Sequence, residues 1–276
     1  MVTAPMSDST ILVLGATGST GRRVTGRLRA AGFGVRAASR SGEVRFDWTD
    51  RSTWEPALAG AERMYLMAPH ELPIDPALVT LAVEAGVRHI VLLSSRGIEA
   101  MGDERLLGAE RTVRGSGADW TIVRPDWFDQ NFDEGYFHPA IMAGELAVPF
   151  GDVKQGFVDA DDIAAVAATA LTSDGHAGRT YELTGPALLS FGEAVAIIGR
   201  VSGRQVTYKG ADEDYLAAQT AFGAPEEQTR AEIAAFTAVR EQGDAIPTGT
   251  VERVTGNPPK PFERYASEAA GRGAWR

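Results

Sequence analysis

The chain has 276 residues, contains no cysteine and carries a formal net charge of −10. The absence of cysteine excludes a disulfide framework, an iron–sulfur site and a thiol nucleophile. A hydrophobic fraction of 44% with 23% charged residues is typical of a folded globular protein, and the acidic balance argues against nucleic-acid binding.

The N-terminal segment lacks the pattern of a targeting signal. Residues 1–8 have no basic stretch followed by an apolar run, and no run in the chain approaches the ~18 apolar residues that a bilayer requires. We therefore expect a loose tail at 1–8 and a cytoplasmic protein without a membrane partner.

The first half of the chain alternates short apolar runs with helical patterns. The predicted strands are 11–14, 35–39, 63–67, 89–94 and 120–123, and the predicted helices are a first one ending near 32, then 76–84 and 103–114. Strand and helix in repeated order indicate parallel pairing through right-handed crossovers. The sequence therefore predicts an α/β fold, a doubly wound parallel sheet with helices on both faces.

Beyond residue 125 this alternation gives way to an aromatic insert, followed by helices and short strands. Helices are predicted at 161–171, 190–201, 212–221 and 226–241, and strands at 181–183 and 205–208. The predicted organisation is a cofactor-binding domain at 9–130 and 155–185, with a small, mostly helical substrate-binding cap at 131–154 and 186–276.

A glycine-rich turn stands between the first predicted strand and the first predicted helix. It reads Gly15-Ala16-Thr17-Gly18-Ser19-Thr20-Gly21. Glycines allow a tight turn and remove the Cβ atoms that would block a pyrophosphate, while a helix N-terminus presents free N–H groups to an anion. The hydroxyls of Thr17, Ser19 and Thr20 can add donors. The position predicts a dinucleotide site, and the alternative is a purely structural turn.

The end of the second predicted strand indicates which dinucleotide binds. Arg40 stands 19 residues after Gly21, where an NAD site carries an acidic residue for the adenosine ribose. Ser39 and Arg40 offer a hydroxyl and a guanidinium instead, and a guanidinium binds the 2′-phosphate of NADP in a bidentate pair. We expect NADP(H) as cofactor, with Arg36 as a second candidate cation. The alternative is that Arg40 is an ordinary surface arginine.

The turn and several later stretches together resemble the NmrA-like branch of the atypical short-chain dehydrogenases. The stretches are 11–21, 35–40, 121–125, 127–132 and 157–164, with 255–259 and Phe262 near the end. The resemblance implies a Rossmann-type fold, a small C-terminal substrate domain and an NADP(H) site. The family includes quinone and other small-molecule reductases, iminium reductases and redox-sensing regulators.

The resemblance also implies roles for residues at strand ends and in the insert. It assigns Asp47 and Trp48 to the adenine end of the cofactor, Met67, Ala68 and Pro69 to the nicotinamide ribose, Ser94 and Ser95 to the nicotinamide, and Pro125 to the wall between nicotinamide and substrate. Candidate substrate contacts are Trp127, Phe128, Asn131, Tyr136, Phe137 and Phe157. These rings favour an apolar, planar substrate, and the alternative for each residue is a packing or turn role.

The predicted helix at 103–114 lacks the Tyr-x-x-x-Lys motif with which many short-chain dehydrogenases transfer a proton. Arg105 stands near its start, where relatives often carry Lys or His, and arginine is not a proton donor. Either the acceptor needs no concerted protonation or another group supplies the proton. Ser94 and Ser95 are predicted as polarising donors, with Asp126 as an alternative acid.

These features predict an NADPH-dependent oxidoreductase that transfers a hydride to a small, largely apolar quinone, enone or iminium-type substrate. A non-catalytic NADP(H) sensor and a non-redox enzyme on the same fold are the alternatives. We expect a monomer or homodimer that binds a small molecule, with no metal and no nucleic-acid partner.

Overall fold

A computed structural model describes residues 10–69 and 72–276, and the predicted tail at 1–8 lies outside these residues. The strands β1–β9 are Thr10–Leu14, Gly34–Ser39, Val44–Arg45, Ala61–Met67, His89–Leu93, Asp119–Pro125, Glu145–Ala147, Arg179–Leu183 and Thr207–Lys209. The helices α1–α12 are Ser19–Ala30, Trp54–Leu58, Pro76–Glu84, Ile98–Met101, Glu104–Arg114, His138–Ala143, Ala160–Thr172, Phe191–Ser202, Asp212–Ala221, Glu226–Arg240, Thr250–Thr255 and Phe262–Gly271. Short 3₁₀ turns lie at Arg51–Thr53 and Asp129–Phe132.

Seven strands form one parallel sheet in the order β3-β2-β1-β4-β5-β6-β8. The strand order reverses between β1 and β4, and ligands of open α/β sheets bind at the carboxyl ends of the strands beside such a reversal. Residues 11–14 of β1 are fully buried, because helices cover both faces of the sheet. The predicted doubly wound, Rossmann-type fold is confirmed.

Two apolar layers cover the sheet, one on each face. Leu12 and Leu14 point to the layer formed with α2, α3 and α5, whereas Ile11 and Val13 point to the layer formed with α1 and α7. Helix α11 joins the second layer through Val251, although the sequence placed this segment in the cap. Among the helices of the described ranges, none is both long and apolar enough to cross a bilayer.

A third core cluster joins the segments that follow β6. Phe132, Phe157 and Phe191 lie at its centre, with ring centroids 5.6 Å apart for Phe132 and Phe157 and 5.1 Å apart for Phe157 and Phe191. Helices α8 and α12 and the small parallel pair β7–β9 surround these rings. Much of the aromatic insert is therefore core, and the same packing anchors the cap beside the carboxyl edge of the large sheet.

Candidate cofactor and substrate site

The glycine-rich turn runs from the end of β1 into the first turn of α1, beside the strand reversal. Gly15 has φ +67°, a conformation that favours glycine, and its carbonyl accepts the N–H of Gly18 at 2.9 Å. A Cβ on Gly21 would lie 2.7 Å from the carbonyl carbon of Gly15. Met67, at the end of β4, packs against the other side of Gly15. The glycines thus let strand, turn and helix approach closely.

The first turn of α1 presents backbone N–H groups without a side-chain cap. Gly18 occupies the N-cap position, and the first turn contains no acidic residue. The first N–H groups of a helix have no partner within the helix, so they are available to an anion. Thr17 is exposed, whereas the Thr20 hydroxyl accepts a hydrogen bond from Tyr65 at 2.9 Å. An uncapped helix start beside closely packed glycines fits a pyrophosphate.

A small ionic cluster ties the segment after β6 to this helix. Glu134 pairs with Arg22 and with Arg23, and it accepts a hydrogen bond from Ser19 Oγ at 3.3 Å. Ser19 therefore makes a cross-link to the cap segment next to the predicted phosphate position.

Ser39 and Arg40 lie at the carboxyl end of β2, where the 2′-phosphate of NADP is expected. The Ser39 hydroxyl is buried and has no hydrogen-bond partner, and the exposed Arg40 makes no ion pair or hydrogen bond with any residue of the described ranges. A buried polar group without a partner is costly unless a ligand satisfies it. Arg36 donates instead to the carbonyls of Ala57 and Pro56, at 3.1 and 2.7 Å. Arg40 is thus the available cation of the two candidates.

The loop after β3 forms the predicted adenine end of the site. Asp47 Oδ1 accepts hydrogen bonds from the N–H and the hydroxyl of Thr49, at 2.9 and 2.8 Å, and these bonds lower the pKa of the carboxyl. Trp48 borders a groove of about 550 Å³ that Ile74 and Arg105 also line. An indole and a guanidinium among the lining residues suit an aromatic base.

Residues 67–69 form the end of β4 and the short segment that follows it, at the carboxyl edge of the sheet. Ala68 packs on the layer formed with α2, α3 and α5, and the Pro69 carbonyl accepts a hydrogen bond from Arg105 at 3.2 Å. Arg105 therefore holds this segment to α5. Its side chain replaces the Lys or His that the resemblance would place near the start of that helix.

The two serines after β5 have different surroundings. Ser94 is buried, and its hydroxyl donates to Glu110 at 2.7 Å. Glu110 is also bound by Arg124 through two hydrogen bonds of 2.7 and 2.8 Å. The hydroxyl of Ser94 thus serves this network, which differs from the polarising role predicted from the sequence. Ser95 lines a cavity at the carboxyl edge of the sheet.

That cavity has a volume of about 440 Å³ and lies between the ends of β5 and β6 and the segment formed by α10 and residues 242–246. Of the predicted substrate contacts, Trp127, Phe128 and Asn131 line it. Pro125 ends β6 immediately before this wall. The cavity therefore has an aromatic wall directly beside the predicted nicotinamide position.

Three further predicted substrate contacts lie elsewhere in the described part of the chain. Phe137 and Phe157 are each 3% exposed and belong to the third core cluster, behind the wall of the cavity. Tyr136 is 61% exposed, and its hydroxyl accepts a hydrogen bond from Gln219 at 3.0 Å. The two phenylalanine rings thus pack behind the wall of the cavity, and the tyrosine ring faces solvent. The reason is that this part of the insert packs on α8 and α12 and does not line the cavity.

Asp126 and Arg96 form a polar pair in the same cavity. Asp126 accepts hydrogen bonds from the N–H groups of Trp127 and Gly156, at 2.9 and 3.1 Å, and from Arg96 at 3.3 Å. Burial raises the pKa of Asp126, while these donors oppose the rise. Sequence reasoning missed Arg96. Its position just after the Ser94-Ser95 pair, at the end of a buried strand, is the signal that could have identified it.

A buried acid behind the cavity leads to a stability prediction. Asp129 is 1% exposed, and neither carboxylate oxygen has a hydrogen-bond partner among the described residues. Burial raises the pKa of Asp129 well above its usual range, and the charges of Asp159 and Asp162 add to this effect. Because the unfolded chain releases this proton more readily, Asp129 destabilises the fold increasingly as the pH rises above the ordinary aspartate range.

We therefore expect Asp129→Asn to raise the free energy of unfolding by about 1–3 kcal/mol at neutral pH, and by little in acid. Urea denaturation at several pH values measures this difference. Asp174→Asn, at an exposed position, serves as the control. A variant that is less stable than the wild type at neutral pH would contradict the prediction.

The sequence and the fold both have known relatives. A model of the NmrA-like family matches residues 7–256. The chain is 36% identical over 281 residues to a (4-alkanoyl-5-oxo-2,5-dihydrofuran-3-yl)methyl phosphate reductase from Streptomyces griseus, covering 94% of this chain and 98% of the relative. It is 34% identical over 287 residues to an NAD(P)H azoreductase from Xenophilus azovorans, covering 96% and 99%.

A solved structure has the same fold. The NADPH-dependent quinone oxidoreductase from Escherichia coli, in complex with NADPH, matches with a TM-score of 0.73 and 23% identity. The match covers 94% of this chain and 99% of that chain. The shared architecture extends over nearly all of both proteins.

Proposed function

The chain belongs to the NmrA-like family, as its motifs indicated, and on this premise we propose that it transfers a hydride from NADPH to a small, largely apolar acceptor. It is an NADP-dependent reductase of the atypical short-chain dehydrogenase kind. Two named relatives are reductases of small molecules, one named for a dihydrofuranyl methyl phosphate and the other for azo reduction.

The observation that carries the proposal is the combination at the carboxyl ends of β1 and β2. An uncapped helix start lies among three closely packed glycines, and the consecutive residues Ser39 and Arg40 carry a hydroxyl and a guanidinium that no residue of 10–69 or 72–276 binds. The first feature suits a pyrophosphate and the second suits the additional phosphate that distinguishes NADP from NAD. Together they support NADP(H) as the cofactor.

When bound, the reduced nicotinamide supplies a hydride, and the residues of this chain determine where that hydride can go. Trp127 and Phe128 form an apolar wall against which a planar acceptor can lie. An apolar wall favours an apolar acceptor and restricts its orientation beside the ends of β5 and β6. Ser95 and Asp126 offer polar groups on the same cavity.

We expect NADPH to bind at least tenfold more tightly than NADH, because only NADPH carries the 2′-phosphate that Arg40 and Ser39 would bind, and about 1.4 kcal/mol corresponds to that factor. Arg40→Ala should remove most of the preference while leaving the affinity for NADH nearly unchanged. Fluorescence titration of both cofactors against both proteins measures this. Arg264→Ala, at an exposed arginine on α12 that pairs with Glu268, is the control. Equal affinities of the wild-type protein for the two cofactors would overturn the NADP assignment.

Turnover is tested by following NADPH absorbance with a panel of quinones, enones and cyclic imines. Oxidation of NADPH that depends on the acceptor supports the reductase. Tight NADPH binding without turnover of any acceptor would instead favour the sensor alternative.

A further inference from the structure

Arg96 is fixed in the wall of the substrate cavity by contacts on several sides. Its backbone N–H donates to the Pro125 carbonyl at 3.0 Å, which places the residue directly beside the end of β6. Its Nε donates to Glu182 at 3.1 Å and its Nη1 to Asp126 at 3.3 Å. Its Nη2 forms no hydrogen bond within residues 10–69 and 72–276, and the side chain is 22% exposed on the cavity. The guanidinium is therefore held in place while some of its N–H groups stay free.

The other residues that line the cavity determine how strongly the Arg96 guanidinium interacts with a bound molecule. Trp127, Phe128, Phe150 and Val239 contribute apolar surface. Among the described residues that line the cavity, Arg96 is the one basic side chain. An electrostatic interaction is strongest where apolar walls exclude water and the donor does not have to reorganise. A developing negative charge within reach of the free Arg96 Nη2 would therefore receive hydrogen bonds from a fixed cation, whereas Asp126 and Asp244 in the same lining offer only acceptor oxygens.

We propose that Arg96 donates hydrogen bonds to the carbonyl oxygen of a conjugated acceptor, an enone or a quinone, and stabilises the negative charge that forms there during reduction. The proposal rests on the reductase function proposed above and selects among its acceptor classes. Asp126 and Glu182 act on the reaction through Arg96, as positioning residues that fix the direction of the guanidinium. This arrangement takes the place of the absent Tyr-x-x-x-Lys motif, with charge stabilisation instead of proton donation.

The chemistry of an enone shows why charge stabilisation suffices. The hydride forms a C–H bond at the β-carbon, and the C=C π electrons shift towards the carbonyl group. The product is an enolate, whose negative charge lies mainly on the oxygen. Arg96 stabilises this enolate but keeps its own protons, because a guanidinium is not deprotonated in proteins. A proton from solvent then reaches the α-carbon, which gives the saturated ketone and leaves the nicotinamide oxidised. An iminium acceptor, in contrast, loses a positive charge when the hydride adds and gains nothing from a guanidinium.

The first test needs neither cofactor nor turnover, because a phenolate resembles an enolate in shape and charge. 4-Nitrophenol is titrated with pH in the presence of saturating cofactor-free protein, and the absorbance of its phenolate form is followed. Wild-type protein should lower the apparent pKa of the bound probe relative to that of the free probe. Arg96→Gln should abolish this shift, and Arg96→Lys should restore part of it. An unshifted pKa with the wild type, or the same shift with Arg96→Gln, overturns the proposal.

The second test compares two acceptors in the loaded enzyme. Loss of one transition-state donor of this kind costs about 100-fold in kcat, so Arg96→Gln should lower kcat for an enone by about that factor. The kcat for a cyclic iminium should not fall, because this acceptor loses positive charge as the hydride adds, and the Kd for NADPH should not rise. Arg230→Gln, on the exposed face of α10, is the matched control. Equal losses for both acceptors would assign Arg96 a merely structural role.

The two tests separate the failure of this proposal from the failure of the proposed function. If wild-type protein reduces none of the acceptors, the reductase function is wrong. The nitrophenol titration then still decides whether Arg96 stabilises an anionic oxygen in the cavity. If the enone is reduced but Arg96→Gln reduces it equally fast, the reductase function stands and the role of Arg96 is wrong.

Discussion

Replacing Gly21 by alanine is expected to lower the free energy of unfolding by about 2–3 kcal/mol and to abolish tight NADPH binding. The added Cβ would lie 2.7 Å from the carbonyl carbon of Gly15 and 3.1 Å from the Cα of Ala16. Both contacts are with backbone, so a change of side-chain rotamer cannot relieve them. The first turn of α1 would have to move away from β1, and its N–H groups would move with it. Chemical denaturation and NADPH titration measure the two effects.

Gly26 provides a matched control on the same helix. It is exposed, and a Cβ at this position would meet no atom within 4 Å. Alanine is favoured over glycine inside a helix by about 0.5–1 kcal/mol, so Gly26→Ala should stabilise the protein slightly and leave NADPH binding intact. Equal effects of Gly21→Ala and Gly26→Ala on stability and on NADPH binding would contradict the prediction. The close approach of α1 to the turn would then not be the reason for glycine at position 21.

The elements with a strong local signal were predictable from the sequence. The continuous apolar run of β1 indicated a strand buried on both faces, and β1 is an interior strand of the sheet, between β2 and β4. Ser190 was predicted to begin a helix, and it caps α8 through a reciprocal pair of hydrogen bonds with Glu193. The glycine-rich turn at 15–21 connects β1 to α1, as the spacing of its glycines predicted. In each case the determining contacts lie within a few residues of one another.

The features that were missed depend on contacts between distant parts of the chain. Phe157 and Trp127 are both aromatic residues of one insert, yet one is buried in the third core cluster and the other lines the cavity. Which of the two faces the cavity depends on α8 and α10, which come later in the sequence. Arg96 and Asp126 meet because parallel strands β5 and β6 end side by side. The position of each residue at a strand end could be read from the sequence, but no local pattern shows that the two side chains meet.

The contact of Ser94 with Glu110 also joins residues that are distant in the sequence, and it belongs to a network that we expect to stabilise the fold. Its hydroxyl is one of several donors to Glu110, a 3%-exposed carboxylate on α5 that also binds Arg124 and Arg114. Removing one partner from a buried ion pair leaves the other without compensation and typically costs about 3–5 kcal/mol. We expect Glu110→Ala to destabilise the protein by about 3 kcal/mol, at the low end of that range, because Arg124 is only 12% exposed but keeps Glu99 as a partner. Glu110→Gln, which keeps the shape and some hydrogen bonds, should lose less.

The pH dependence of stability gives this prediction a second readout. Burial alone would raise the pKa of Glu110, but hydrogen bonds from Arg124 and Ser94 outweigh burial and hold the pKa below its ordinary value of 4.5. A carboxyl with a lowered pKa stabilises the fold fully above its ordinary pKa, and this contribution is lost as the pH falls through the lowered value. The difference in unfolding free energy between wild type and Glu110→Ala should therefore be largest near neutral pH and shrink below about pH 4.5.

Glu226→Ala, the control, removes an exposed ion pair with Arg230 and should cost only about 0.3–0.5 kcal/mol. A loss of that small size for Glu110→Ala, at neutral pH, would mean that the network linking β5, β6 and α5 contributes little to the fold.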